Sequence, residues 1–118
     1  MNINSALISA LNPTGLPVEQ DEYEGEEDKY IVFSYANESP ALSGDDMTLV
    51  EQGDIHIQLV APKKFNYFPM KKKIVDLLEG AGFYVTDIRT ILGDARNGTE
   101  KVRQIVFECA CIRDKEEL

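Results

Sequence analysis

The chain contains a single histidine, His56, and a histidine can act as a general base near neutral pH. A catalytic triad also needs a nucleophile, and an acid that orients the base. His56 stands between Ile55 and Ile57 in an alternating, strand-like stretch, so its side chain should point away from the core. No serine or cysteine forms a recognisable motif with it. We interpret His56 as a surface residue of a strand and predict that the protein is not an enzyme.

Cys109 and Cys111 are the two cysteines, and one residue separates them. In a strand their side chains would share one face, with Cα atoms roughly 6.5 to 7 Å apart, at or beyond the usual disulfide limit. A zinc site needs four ligands, and neither a CxxC pair nor a second histidine exists to complete the set. The pattern favours reduced thiols in the core, and we predict no metal or cofactor.

The glycines and the acidic residues do not form ligand-binding motifs. Neither GxxxxGK nor GxGxxG occurs, and Gly80 and Gly82 follow a predicted helix, whereas a dinucleotide site needs its glycines before one. Seven of the ten residues 19–28 are acidic, but they lack the spaced ligands and closing Glu of an EF-hand loop. We predict that residues 19–28 form an extended, solvated acidic loop.

Charge is distributed unevenly along the chain, whose formal net charge is -9. Residues 1–62 carry one base and twelve acids, whereas residues 63–118 carry eleven bases and nine acids. Five lysines lie within residues 63–73, and three of them occupy the first turns of a predicted helix, where the helix dipole disfavours cations. These lysines form either a solvated face or a contact with the acidic loop of a neighbouring copy. The interface candidates are Glu19, Asp21, Glu22, Glu24, Glu26, Glu27, Asp28, Lys63, Lys64, Lys71, Lys72 and Lys73.

The bulk properties are those of a small globular protein. With 118 residues, 43% of them apolar and 28% charged, the chain has the size of one domain and can bury a modest core, so we predict a single domain over residues 1–118. Its acidic balance opposes nucleic-acid binding. No apolar run approaches the roughly 18 residues of a membrane span, and the N-terminus lacks a signal-peptide pattern. The sequence therefore predicts a cytoplasmic protein.

Hydrophobic periodicity predicts two helices. Apolar residues at helical spacing indicate a short amphipathic helix over residues 3–11, which Asn12 and Pro13 end. A second apolar stripe indicates a helix over residues 69–81, with Pro69 at its first position. Gly80 and Gly82, introduced above, are the candidates for its C-terminal cap.

Alternation of apolar and polar residues predicts four strands, at residues 30–35, 47–61, 83–92 and 102–112. Gly53 marks a bulge in the second of them. The apolar register shifts between Val85 and Ile88, which indicates either a bulge or a strand that is buried on both faces. Asn97 and Gly98 provide the turn of a closing hairpin.

The element order is thus α-β-β-α-β-β. It predicts an α+β fold in which an antiparallel or mixed four-stranded sheet carries both helices on one face. The connections predicted as loops are residues 14–28, 37–46 and 93–99, and residues 113–118 are predicted as a flexible C-terminal tail.

Several of these segments together resemble the tail-terminator, or tail-completion, proteins of long-tailed bacteriophages and prophages. The resemblance lies in YIVFSY, the acidic loop, GDIHIQLVAPK, MKKKIVDLLEGAGF and VRQIVFECAC, and it covers roughly residues 28–112. It consists of element order and apolar pattern, without a diagnostic catalytic string. The first helix and the loop after it are less similar to that family, which leaves a sibling head-tail joining or minor tail protein as an alternative.

The resemblance implies a small α+β subunit, not an enzyme, that closes the tail tube as a homo-oligomeric ring, commonly a hexamer, and contributes to head-tail joining. Its partners would be other copies of itself, the tail-tube protein and the head-tail connector, with the loops 19–28, 37–46 and 93–99 projecting toward them. A different class is also compatible with the sequence. A regulatory or ligand-binding domain resembling ferredoxin-like modules would hold a ligand between the sheet and the second helix.

Overall fold

The computed structural model describes the backbone of residues 2–40, 49–94 and 101–114, and the side chains of residues 2–35, 55–94 and 101–111. Several predicted segments lie partly outside these ranges. They are residues 41–46 and 95–99 of two predicted loops, residues 47–48 of the predicted second strand, and residues 115–118 of the predicted tail.

The first helix, α1, spans Ile3–Leu11. Asn2 caps it, because its side-chain Oδ1 accepts a hydrogen bond from the backbone N–H of Ser5 at 2.8 Å. Its buried residues are Ile3, Ala6, Leu7 and Leu11, which confirms the amphipathic stripe. A 3₁₀ turn, Asn12–Thr14, ends the helix, and the chain then enters a short strand, β1, at Val18–Gln20.

The remaining strands are long. Strand β2 spans Tyr30–Pro40, β3 Leu49–Pro62, β4 Tyr84–Asp94 and β5 Lys101–Asp114. Together with β1 they form, within the described residues, a five-stranded mixed sheet in the order β1-β2-β3-β5-β4. Strand β1 pairs parallel to β2, and the other three pairs are antiparallel. The pairing of β4 with β5 confirms the predicted closing hairpin.

Both predicted bulges are present. The register of β3 against β5 shifts between Gln52 and Ile55, around Gly53. The register of β4 against β5 shifts between Val85 and Asp87. The alternative of a third predicted strand buried on both faces is wrong, because most side chains of β4 are exposed. An extra residue in one strand restores alternation, so a bulge accounts for the shifted apolar pattern.

The second helix, α2, spans Phe68–Gly80; it begins one residue earlier than predicted, so Pro69 is the second residue of its first turn. It ends in a Schellman motif: the N–H of Phe83 donates to the carbonyl of Leu78 at 3.0 Å, and the N–H of Gly82 donates to that of Glu79 at 3.2 Å. Gly82 takes φ +91°, a left-handed conformation that favours glycine. Of the two predicted capping glycines, Gly82 therefore ends the helix, and Phe83 is turned into the core, where it is 1% exposed.

The core lies between the two helices and one face of the sheet. Ile74 and Leu78 of α2 are fully buried there together with residues of α1, β2, β3 and β5. Along the strands, Phe33, Ile57 and Phe107 stand side by side and are buried on this face. The other face of the sheet, which we call the open face, carries the alternate residues, among them His56 and Glu108.

The α+β class is as predicted, but the sheet has one more strand than the four expected. The predicted loop 14–28 contains β1, and residues 37–40 of the predicted loop 37–46 extend β2. Residues 93–94 extend β4, and residues 113–114 of the predicted tail belong to β5. Sequence reasoning missed β1 because three residues show no alternation. Its pairing to β2 arises from tertiary packing rather than from local pattern.

Candidate interface surfaces

The acidic segment, residues 19–28, is anchored at its start to the sheet. The N–H of Asp21 donates to the carbonyl of Phe33 at 2.8 Å, and the N–H of Glu22 donates to the carbonyl of Gln20 at 2.7 Å. Asp21 adopts φ 65° in this tight turn, a conformation that aspartate tolerates better than most residues. The chain therefore reverses directly after β1 and runs back toward the start of β2.

An aromatic contact holds the middle of the acidic segment. Tyr23 is 7% exposed, and its ring stacks on that of Tyr30 with centroids 4.3 Å apart. Its hydroxyl accepts a hydrogen bond from the N–H of Glu27 at 2.9 Å. A methyl group at Gly25 would lie 2.2 Å from the Oη of Tyr23, so the backbone wraps closely around the ring. The segment is charged, as predicted, but it is fixed by a buried aromatic residue that the sequence analysis did not single out.

The lysine surface lies at the C-terminal end of β3 and the N-terminal end of α2. We define it as Lys63 and Lys64, in the turn after β3, and Lys71, Lys72 and Lys73, in the first turns of α2. Lys71 is half-buried and the other four are exposed. This end of the sheet adjoins the acidic segment. Lys29 follows Asp28 and Phe65 follows Lys64, and the Nζ of Lys29 lies 5.0 Å from the ring centroid of Phe65.

An exposed aromatic ring stands within the lysine surface. Phe68 is 65% exposed, and its ring stacks on Tyr67 with centroids 4.7 Å apart. On a helix, residues three and four positions apart are neighbours, which places Phe68 beside Lys71 and Lys72. The sequence analysis missed Phe68 because it lies one residue before Pro69 and off the apolar stripe of α2. The feature that could have identified Phe68 is an aromatic residue at the start of a helix and outside its apolar stripe.

The charges of both surfaces are largely unneutralised within the subunit. Among the residues that the structure describes, none of the seven predicted acidic candidates takes part in an ion pair, and of the five lysines only Lys72 does, with Asp76 at 2.8 Å. The Lys72 pair is exposed on both sides and spans one helical turn, so it offsets part of the unfavourable placement of cations near the helix start. The other four lysines remain available to a partner.

An ion network crosses the open face. Arg89 donates to Glu108 at 2.5 Å and lies 3.6 Å from Asp87, and the Nε2 of His56 lies 3.7 Å from the same Glu108. Ser34 stands beside His56 in the register, so a serine, a histidine and a carboxylate follow one another across three strands. Within the described residues no hydrogen bond joins Ser34 to His56, and nucleophilic catalysis depends on that contact. His56 therefore lies beside a partly exposed carboxylate, that of Glu108.

The two cysteines occupy the helix-covered face, and neither is in a disulfide bond. Cys109 and Cys111 are 1% and 0% exposed, as predicted for core thiols. Burial, with a smaller contribution from Cys111, raises the pKa of the Cys109 thiol to about 12. Burial likewise raises the pKa of Tyr35 to about 12, and the hydroxyl of Tyr35 donates to Asn4 of α1. In the part of the chain that the structure describes, no three metal-ligating side chains come together.

Ile74 and Leu78 of α2, both 0% exposed, pack in the core between this helix and the sheet, where a ligand-binding domain would hold its ligand. A pocket of about 360 Å³ lies elsewhere, between the turn after α1 and the C-terminal end of the acidic segment. It is lined by Asn12, Gly15, Leu16, Pro17, Glu27 and Lys29. None of the helices in the described ranges is long and apolar enough to cross a membrane.

Comparison with models of protein families found no match for this chain, and comparison with curated proteins found none either.

Proposed function

We propose that this protein is a structural subunit of a phage or prophage tail, which joins copies of itself into a ring that caps the tail tube and contributes to head-tail joining. The proposal rests on the sequence resemblance and on one structural observation: acidic and basic side chains are concentrated on two different surfaces, and in the described residues Lys72 is the one candidate among them that forms an ion pair. The ring would assemble in the host cytoplasm and become part of the virion.

The two surfaces support a contact between neighbouring copies. The acidic segment lies along the β1 and β2 edge of the sheet, whereas the lysine surface lies at the end of β3 and on α2. Because the two surfaces differ, a contact between them is heterologous, and a heterologous contact closes into a ring when its rotation allows. Opposite charge steers two copies toward this register and opposes like-with-like contacts.

Phe68 supports the same contact. Interface binding energy is concentrated in a few aromatic or arginine anchors that a ring of polar residues surrounds. Phe68, at 65% exposure and next to lysines, is placed as such an anchor. On docking, its ring would be buried against the neighbour while the lysines meet the carboxylates of residues 19–28.

The test is a charge exchange. A variant with Lys63→Glu and Lys64→Glu, and a second with Glu26→Lys and Glu27→Lys, should each fail to assemble because like charges meet. A chain carrying all four substitutions should assemble again, and an equimolar mixture of the two variants should form mixed rings. Sedimentation velocity and negative-stain microscopy give the particle size. A four-fold variant that stays dispersed, or an assembly indifferent to salt, would contradict the charge contact.

Tail partners are tested separately. Purified tail-tube protein should bind the assembled ring and slow amide exchange beyond the protection that ring assembly itself gives, because docking covers further backbone. A ring that leaves the tube protein unbound would retain the assembly proposal and remove the tail assignment. Thermal stabilisation of a persistent monomer by a small metabolite would instead support the ligand-binding alternative.

A further inference from the structure

Strand β4 forms an open edge of the sheet. It is the terminal strand, and in the described part of the chain no other strand pairs with its outer side. Residues 88–93 contain neither proline nor lysine, and their one charged residue, Arg89, pairs with Glu108 within the subunit. The bulge near Thr86 disturbs only the beginning of the strand. An edge of this kind exposes a row of backbone donors and acceptors that can pair with another strand, and charged or proline residues usually protect it.

This edge carries large apolar side chains that the subunit itself leaves exposed. Ile91 and Leu92 are each 47% exposed, on opposite faces of β4, and they belong to the few large apolar side chains that the described surface exposes. Cross-strand apolar pairs stabilise a sheet, so a partner strand would cover both.

Local charge identifies the partner. The whole chain carries -9 and repels itself. Along β4 and residues 101–111 of β5, however, the three acids Asp87, Asp94 and Glu108 are balanced by the three bases Arg89, Lys101 and Arg103. Lys101 pairs with Asp94 at 2.6 Å, and Arg89 with Glu108 at 2.5 Å. Two copies can therefore meet along this edge without bringing unpaired like charges together.

We propose that β4 pairs antiparallel with β4 of a second copy across a two-fold axis at Thr90, which joins two sheets into one. In this register Ile88 faces Leu92 of the other copy, and Arg89 faces Ile91. The pairing covers residues 87–93. Because the two-fold axis is perpendicular to the sheet, the helices of both copies lie on the same side. A shift by two residues in one direction would set Arg89 against its own twin, which is repulsive. The opposite shift would set the carboxylate of Asp94 against the apolar side chain of Ile88.

A cysteine at the axis tests the register. Directly opposed residues of antiparallel strands have Cα atoms about 4.5 or about 5.5 Å apart, within the range of a disulfide. Thr90→Cys should therefore convert under mild oxidation to a covalent dimer. Ile91→Cys, whose twin lies diagonally, and Ile8→Cys, on the exposed side of α1 at 45% exposure, should remain largely monomeric. Buried Cys109 and Cys111 do not compete. Equal crosslinking of Thr90→Cys and Ile8→Cys would overturn the proposal.

A lysine at the same position tests the energetics. Thr90→Lys places two cations opposite each other and should raise the dissociation constant of the dimer at least tenfold, measured by sedimentation equilibrium, whereas Ile8→Lys should leave it unchanged. A wild-type chain that is monomeric at its highest soluble concentration would also overturn the pairing. High salt separates this contact from the ring: it should weaken the acid-lysine contact and spare the β4 dimer, so either contact can fail without the other.

Discussion

The ring of Tyr23 stacks on that of Tyr30 at 4.3 Å, and this contact ties the acidic segment to the first long strand of the sheet. The backbone that carries the acids of this segment is thereby tied to the sheet, although the charges of the acids repel one another. The proposed ring contact depends on this, because a fixed set of carboxylates loses less conformational entropy on binding than a mobile one.

Removal of the Tyr23 ring should release the acidic segment. We expect Tyr23→Ala to lower the free energy of unfolding by about 1 to 3 kcal/mol and to speed amide exchange across residues 21–29. Gly25→Ala should have the same local effect, because its methyl group would clash with the Tyr23 ring. Glu24→Ala, at an exposed position of the same segment, is the control and should change stability by less than about 0.5 kcal/mol. Unchanged exchange in Tyr23→Ala would show that the stacking does not fix the segment.

The cap of α2 provides a matched pair of glycines. Gly82→Ala should destabilise the protein by about 1 to 2 kcal/mol, because a left-handed conformation is costly for a residue with a side chain. Gly80→Ala should stabilise it by up to about 1 kcal/mol, because Gly80 belongs to the helix and has open space around it. Urea unfolding of both variants measures the difference, and equal effects would argue against the Schellman cap.

Alkaline pH should destabilise the fold. The folded-state pKa values of Cys109 and Tyr35, both raised to about 12, exceed their ordinary values of 9.0 and 10.0. Both groups are neutral when protonated, so the stabilisation is complete below about pH 9 and is lost as the pH rises toward 12. Cys109→Ala should flatten this pH dependence of stability. At pH 8 the native thiols should resist alkylation, which requires the thiolate, until denaturant is added.

Substitutions of different lysines should weaken assembly to different extents. Lys63→Gln and Lys64→Gln should weaken self-association and reduce its salt dependence, because these lysines have no ion-pair partner in the described subunit. Lys72→Gln should have a smaller effect, since Lys72 already pairs with Asp76. Light scattering over a salt series compares the three. A Lys72 variant that is affected as strongly as the others would show that the internal pair does not compete with the neighbour.

The ion network of the open face should contribute little to stability. Arg89 and Glu108 are 54% and 27% exposed in their side chains, so a double-mutant cycle with Arg89→Gln and Glu108→Gln should give a coupling of about 0.2 to 1 kcal/mol. His56→Gln should leave assembly unchanged. A hydrolytic activity that disappears in His56→Gln and Ser34→Ala would instead assign the row of Ser34, His56 and Glu108 to catalysis.

Most of the fold was predictable because local pattern and final environment agree. The stripes of α1 and α2, the alternation around His56, the two bulges and the glycine cap depend on residues that are near one another in the chain. The candidate surfaces were predictable as charge runs, and the structure shows where they lie. Phe68 and Tyr23 were not identified, because the sequence does not reveal that one aromatic ring is left in solvent while the other is buried inside an acidic run.

The sequence by itself determined the α+β class, the helices, the long strands and the uneven charge, because these follow from the period of apolar residues and from composition. Only the tertiary structure decided that β1 joins the sheet, that Ser34, His56 and Glu108 form one row, and that β4 is the terminal strand of the sheet in the described ranges. The physical reason is that strand order and cross-strand neighbours depend on contacts between residues far apart in the chain, which no local spacing encodes.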